Sequence, residues 1–188
     1  MDLKNTFGEL VEKLHQQKPV IHAITNYVTA ESCADITLAA GGSPVMADEP
    51  EEVEEITAGA KALVINLGTL NFNKQIAMER SAMVAKKKGI PVVLDPVGVM
   101  ASTMRLDFAL KLLNKGYIDI VRGNFSECQA LLLGKTGGHG VDNLEAGVEE
   151  GEALKTAKDA ATKFNCVFAV TGAVDNISNG KQAVVLNN

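Results

Sequence analysis

Apolar positions recur along this chain with two alternating periods. From Leu3 to Gln17 the residues Leu3, Phe7, Leu10, Val11 and Leu14 share one helical face, and Lys18-Pro19 stops the pattern. Pro19 to Ile24 is a short apolar run ending in Thr25-Asn26. An Ala-rich helical stretch follows from Val28 to Ala40 and closes at Gly41-Gly42. The same alternation then repeats. A strand at Pro44-Val45-Met46 leads into a helix carrying Val53, Ile56 and Ala60, with Asp48 and Glu51 spaced as a capping pair. Ala62 to Leu67 is a third strand, ending at Gly68-Thr69. The helix behind it places Ile76, Ala77, Met83 and Val84 on one face and Lys86 to Lys88 near its end. Pro91 to Gly98, PVVLDPVG, reads as a buried strand that delivers Asp95 to an edge. Ser102 to Lys115 presents Met104, Phe108, Ala109, Leu112 and Leu113 at helical spacing, ahead of a strand from Tyr117 to Val121 and the triplet Arg122-Gly123-Asn124. Phe125 to Leu133 returns to helix, Gly134 to Asn143 is a Gly-rich loop, and Glu149 to Asn165 is an Ala-faced helix before the strand Val167 to Thr171. Val174 to Ile177 and Gln182 to Leu186 pair as an antiparallel hairpin around Ser178-Asn179-Gly180.

Strands and helices that alternate through short connections predict an α/β fold. The sheet is mainly parallel, covered by helices on both faces, with an antiparallel edge hairpin. No repeat, low-complexity tract or linker interrupts the chain, so residues 1–188 are expected to form one domain. With 46% hydrophobic and 22% charged residues the chain can bury a core without metals or disulfides. A net charge of -5, with no basic run longer than Lys86 to Lys88, argues against a nucleic-acid partner. No apolar segment follows a basic one at the start, and no run is long enough to span a bilayer, so a cytoplasmic protein is expected. Cys33, Cys128 and Cys166 are far apart and outside any C-x-x-C pattern, which fits small core residues better than a disulfide framework, a zinc site or a nucleophile.

Chemistry collects at one end of the predicted strands. Immediately after them stand Asn26, Met46, Gly68, Asp95, the group Arg122, Asn124 and Glu127, and Thr171-Gly172. The opposite connections carry mostly Lys, Gln, Asn and Gly. A site at the carboxyl edge of an open α/β sheet predicts this asymmetry. A lone Asp-Pro favours a turn aspartate, but the common edge moves Asp95 toward a metal or substrate role. In Arg122-Gly123-Asn124-x-x-Glu127 an Arg can fork onto phosphate oxygens, and an acid beside an amide can organise a hydrated Mg²⁺. Asn124 and Glu127 also fit a capping box, and both readings can hold together. Thr171-Gly172 could offer a hydroxyl and an amide to a phosphate, although a Thr ending a strand is ordinary. Met46 fits core packing and Asn26 a helix cap. His22 and His139 fit structural roles, and His15 fits the surface. Gly134-Lys135-Thr136 is no phosphate-binding P-loop, because Gln129 stands where the motif needs its first glycine.

Four blocks, VIHAITNYVTAESCADITLAAGGSPVMADEPEEVEE, VVLDPVG, DIVRGNFSE and VFAVTGAVD, resemble the hydroxyethylthiazole kinase family of thiamine salvage, which has the ribokinase-like fold of three layers. The resemblance implies transfer of the ATP γ-phosphoryl group to the hydroxyl of 4-methyl-5-(2-hydroxyethyl)thiazole. It carries Asn26, Met46 and Gly68 to the thiazole, Arg122, Asn124 and Thr171 to ATP, and Asp95 and Glu127 to Mg²⁺. It also implies a homotrimer with sites between subunits. Members of the family continue into a Gly-x-Gly-Cys loop that forms an anion hole and presents the catalytic Cys. This chain reaches Asn188 without it, and none of its three cysteines is preceded by Gly-x-Gly. The expectation is therefore a chain lacking that C-terminal segment, with no catalytic residue assignable. Ala173 also stands where many members have Glu. Two other readings stay open: a thiazole- or nucleotide-binding fragment without turnover, and a kinase for another small alcohol such as the hydroxymethylpyrimidine.

Overall fold

The β-branched runs pair into a single sheet in the computed structural model, which describes residues 3–137 and 151–187. Its strands are β1 (Val20–Ile24), β2 (Ser43–Val45), β3 (Ala62–Asn66), β4 (Val92–Asp95), β5 (Ile120–Asn124), β6 (Val167–Thr171), β7 (Val174–Ser178) and β8 (Ala183–Asn187). They lie in the order β2-β1-β3-β4-β5-β6-β7-β8. The pairings from β2 across to β6 are parallel, and β7 and β8 close the edge antiparallel, as the hairpin signal predicts. The helices are α1 (Leu3–Gln17), α2 (Ala30–Ala39), α3 (Val53–Gly59), α4 (Phe72–Lys88), α5 (Thr103–Asn114), α6 (Phe125–Leu133) and α7 (Glu152–Phe164).

From β1 the chain steps outward to β2, then returns across β1 and continues in the other direction. Right-handed crossovers therefore put α2 on one face and α3 to α7 on the other, where α3 packs on α4 and α6 on α7. Strand burial follows that division. Val92, Leu94, Val121, Phe168 and Val170 are fully buried, whereas Val93, Asp95, Arg122, Ala169 and Thr171 point to the less covered face. The reversal between β1 and β3 is the switch point at which such sheets bind ligands.

Three local expectations are corrected. Asp48 and Glu51 do not cap α3: its N-cap is Glu52, with no side-chain cap bond, and Asp48 instead accepts from the Tyr27 hydroxyl at 3.1 Å. The buried stripe of α4 runs through Lys74, Ala77, Met78, Ser81, Ala82 and Ala85, leaving Ile76, Met83 and Val84 half-buried. Two polar members displace that stripe from the one hydrophobicity marks. Finally, β5 starts at Ile120 and runs through Arg122-Gly123-Asn124, so Arg122 lies inside a strand rather than after one. His139, the Gly-rich stretch beyond Gly137 and the expected helix start at Glu149 lie outside the described residues. Among the described residues no helix is long and apolar enough to cross a membrane.

His22 shows how the edge loops are tied to the sheet. Its ring is fully buried on β1, with Nε2 at 2.8 Å from the Ala47 carbonyl and Nδ1 at 2.8 Å from Thr57 Oγ1. A carbonyl only accepts, so Nε2 carries the proton and the Thr57 hydroxyl donates to Nδ1. The neutral ring is satisfied at both nitrogens, and it anchors the loop that follows Met46. Burial holds its pKa below the usual value, against the opposing pull of the Ala47 carbonyl and Glu52. Below about pH 6.5 the unfolded chain binds a proton that the folded ring refuses, so this stabilising contribution is present at neutral pH and lost on acidification. Denaturant melts of wild type and His22→Gln between pH 7.5 and 5 should converge as the pH falls; a constant gap would show that His22 does not fold in its neutral form.

Candidate functional site

Adjacent strands bring the polar exits level. Parallel register pairs Asn66 with Asp95, and one step beyond Leu94 opposite Val121 puts Asp95 level with Arg122. Asp95 is half-buried and its Oδ2 accepts from Asn66 Nδ2 at 2.9 Å. An ionised carboxylate only accepts, which fixes the rest of the chain of bonds. The Asn66 amide must turn its NH₂ to Asp95, so its Oδ1 accepts from Asn26 Nδ2 at 3.1 Å and from the Gly68 amide at 2.9 Å. Asn26 Oδ1 is then left to accept from Thr29 N at 2.9 Å and Thr29 Oγ1 at 3.1 Å. Asn26 is not the cap of α2 that its position suggests, since the N-cap is Thr29 with no side-chain cap bond; it holds the turn ahead of that helix and is one end of a relay leading to Asp95. Gly68 is required for that packing, since a Cβ there would sit 2.7 Å from the Asn26 Cβ.

Glu127 approaches the same edge from α6. The capping box is present: Asn124 Oδ1 accepts from Glu127 N at 2.9 Å, and Glu127 Oε2 accepts from Asn124 N at 3.0 Å. The other oxygen, Oε1, accepts from the Gly98 amide at 3.2 Å, pinning the loop behind Asp95. Gly98 has φ +75°, a conformation that favours glycine, and Arg105 Nη1 donates to the neighbouring Val97 carbonyl at 3.1 Å. Burial raises the pKa of both Asp95 and Glu127, and Asp95 raises Glu127 further by repulsion. The exposed Arg122 and the hydrogen bonds work in the opposite direction without cancelling the effect. Among the described residues neither acid has an ion pair, so both carboxylates stand desolvated with their charge only partly offset.

The nucleotide-type residues flank this pair. Thr171 ends β6 opposite Asn124, and its hydroxyl donates to the Gly123 carbonyl at 3.3 Å. The Gly172 amide is already taken by Asp175 Oδ1 at 3.0 Å, so it is not the open phosphate donor the sequence suggests. Beside them lies a cavity of about 660 Å³ lined by Phe125, Leu154, Thr171, Gly172, Val174 and Asn176. At the β1–β3 end a second cavity, of about 320 Å³, is lined by Tyr27, Asp48, Pro50, Asn71, Phe72 and Lys74. Met46 is half-buried beside the His22-anchored loop and outside the main core. Cys128 and Cys166 are buried, with both thiols pushed up by burial, as befits core residues. Sequence reasoning missed Asn66 and Lys74. Asn66 is a lone amide ending an apolar strand, a usable signal, whereas nothing in the pattern marks Lys74 as buried.

The family model of the hydroxyethylthiazole kinase family matches residues 11–188. The chain belongs to this family. A hydroxyethylthiazole kinase of Ruminiclostridium cellulolyticum is 46% identical over 179 residues, covering 95% of this chain and 66% of that protein. The solved structure of the hydroxyethylthiazole kinase protein from Pyrococcus horikoshii OT3 superposes with a TM-score of 0.86 at 39% identity, over 96% of this chain and 66% of that one. Pyridoxal kinase of Bacillus subtilis, at 16% identity and a TM-score of 0.61, shares the fold alone, which is ribokinase-like. The chain spans about two thirds of the length of the curated relatives it matches.

A test of the charge balance follows from the geometry. Asparagine in place of Asp95 keeps an oxygen for the Asn66 bond and removes a charge that folding disfavours. Without metal at pH 7, Asp95→Asn should melt about 2–4 °C above wild type, and the gap should shrink as acid protonates the wild-type carboxyl. A lower melting temperature at pH 7 would mean that the carboxylate is stabilised where it stands.

Proposed function

We propose that the chain, as one ribokinase-like domain, transfers the γ-phosphoryl group of ATP to the hydroxyl of hydroxyethylthiazole in thiamine salvage. The observation that carries this reading is the convergence of Asp95 and Glu127 on one edge, joined through Asn66 to Asn26 and Gly68. Phosphoryl transfer needs positioning and charge neutralisation more than covalent help. In this reading Asn26, Met46 and Gly68 orient the alcohol, while Arg122, Asn124 and Thr171 receive the nucleotide. Asp95 and Glu127 hold Mg²⁺, whose preference for one or two carboxylates plus water and phosphate oxygens suits this pair. When bound, the ion neutralises charge on the phosphate oxygens. Burial disfavours bare charge on both carboxylates, and a bound cation would offset that.

A homotrimer with sites between subunits belongs to the same reading. It is supported by α2, which buries none of its residues and leaves Ile36 at 68% and Leu38 at 59% exposure. The location is cytoplasmic in this reading, as for a metabolic kinase. Thiazole or nucleotide binding without turnover is the second reading.

The purified chain, given hydroxyethylthiazole, ATP and Mg²⁺, should release thiazole phosphate and ADP, and chelating the metal should stop it. Asp95→Asn, which keeps an oxygen for the Asn66 bond, should lower turnover at least about 100-fold while changing thiazole affinity less than about threefold. Product from hydroxymethylpyrimidine in preference to the thiazole would move the substrate to the other alcohol. Thiazole binding without product would select the second reading, and no binding at all would overturn the proposal.

A further inference from the structure

Among the described residues Lys74 is the largest fully buried side chain, at 1% exposure, and it lies beside the switch point. Its neighbours on the α4 stripe are Ala77, Met78, Ser81, Ala82 and Ala85, all small or neutral. A position that only packed this face would take Leu or Met, because an ammonium withdrawn from water must be compensated at every bond. The compensation here is specific. Nζ donates to the Thr25 carbonyl at 2.5 Å and to Thr69 Oγ1 at 3.4 Å, and it stands 3.6 Å from the centre of the Tyr27 ring. The nearest acid, Asp48, is 3.9 Å away and also accepts from the Tyr27 hydroxyl.

These contacts fall on both loops of the crevice. Thr25 and Tyr27 flank Asn26, and Thr69 follows Gly68. Thr69 is held at φ +46°, a left-handed conformation unusual for a β-branched residue, and its Oγ1 also accepts from the Tyr27 amide at 3.2 Å. One ammonium thus grips the exit of β1, the exit of β3 and the aromatic wall of the cavity beside them.

We infer that Lys74 is a positioning residue for the acceptor alcohol, clamping the Asn26 and Gly68 loops together and holding Tyr27 against the crevice. This rests on the thiazole reading of those loops. The clamp acts on the alcohol half of the site and leaves the Asp95, Glu127 and Thr171 half untouched.

Calorimetric titration of Lys74→Met with hydroxyethylthiazole, and separately with a non-hydrolysable Mg·ATP analogue, tests this directly. Methionine preserves the volume of the side chain without its donors. The variant's thiazole affinity should fall about tenfold while nucleotide affinity stays within about twofold. Equal thiazole affinity, or equal weakening of both ligands, would overturn the clamp. Should the variant not fold, Thr69→Val removes the shared acceptor and should show the same selective loss; thiazole binding unchanged in that variant would also overturn it. A wild type that binds no thiazole overturns the functional reading and the clamp with it, whereas a wild type that binds, beside a Lys74→Met that binds equally well, overturns the clamp alone.

Discussion

A carboxylate that can only accept, set half-buried at the end of β4, imposes order on everything around it. Asp95 turns the Asn66 amide, Asn66 turns Asn26, and Asn26 turns the start of α2. No bond in this series can reverse without leaving two like groups face to face. A glycine at position 68 is part of the constraint, because any side chain there would occupy the space of Asn26. Asp95 and Asn26 are therefore fixed by one network. Buried networks that are fully satisfied hold a single geometry well, and a reaction that depends on positioning needs that.

The second acid is held by a different device. Glu127 closes a capping box with Asn124 and reaches across to the Gly98 amide, so the start of α6 and the Asp95 loop share one carboxylate. The cap reading of this residue holds. The cost appears in the titration behaviour: burial disfavours the charge on both acids and each sits within reach of the other. The exposed Arg122 and the hydrogen bonds from Asn66, Asn124 and Gly98 offset this only in part.

The alternation of strands and helices was legible because each element has an apolar side of the right period, and α1 and α6 fall on the expected residues. The edge hairpin was legible from Asn179-Gly180. The misses all involve polar residues at places that hydrophobicity alone does not mark. Lys74 and Ser81 on the inner face of α4 moved the stripe away from Ile76 and Val84. Arg122-Gly123-Asn124 looked like a loop, since a charge, a glycine and an amide are poor strand formers alone, yet β6 pairs with all three. Asp48 looked like a cap and serves Tyr27 instead. Within the site, the list of strand exits located the residues but could not show that Asn66 joins them or that Asp175 already occupies the Gly172 amide.

In the proposed function the carboxyl edge is one site with two halves, an alcohol crevice between β1 and β3 and a metal-nucleotide end at β4 to β6. Proton NMR of hydroxyethylthiazole in the presence of the protein, Mn²⁺ and a non-hydrolysable ATP analogue measures that arrangement most directly. The account predicts that the paramagnetic ion broadens the hydroxyethyl methylene signals more than the ring methyl, and that Asp95→Ala abolishes the effect. Thiazole signals that stay sharp, or a ring methyl broadened more than the methylenes, would contradict it.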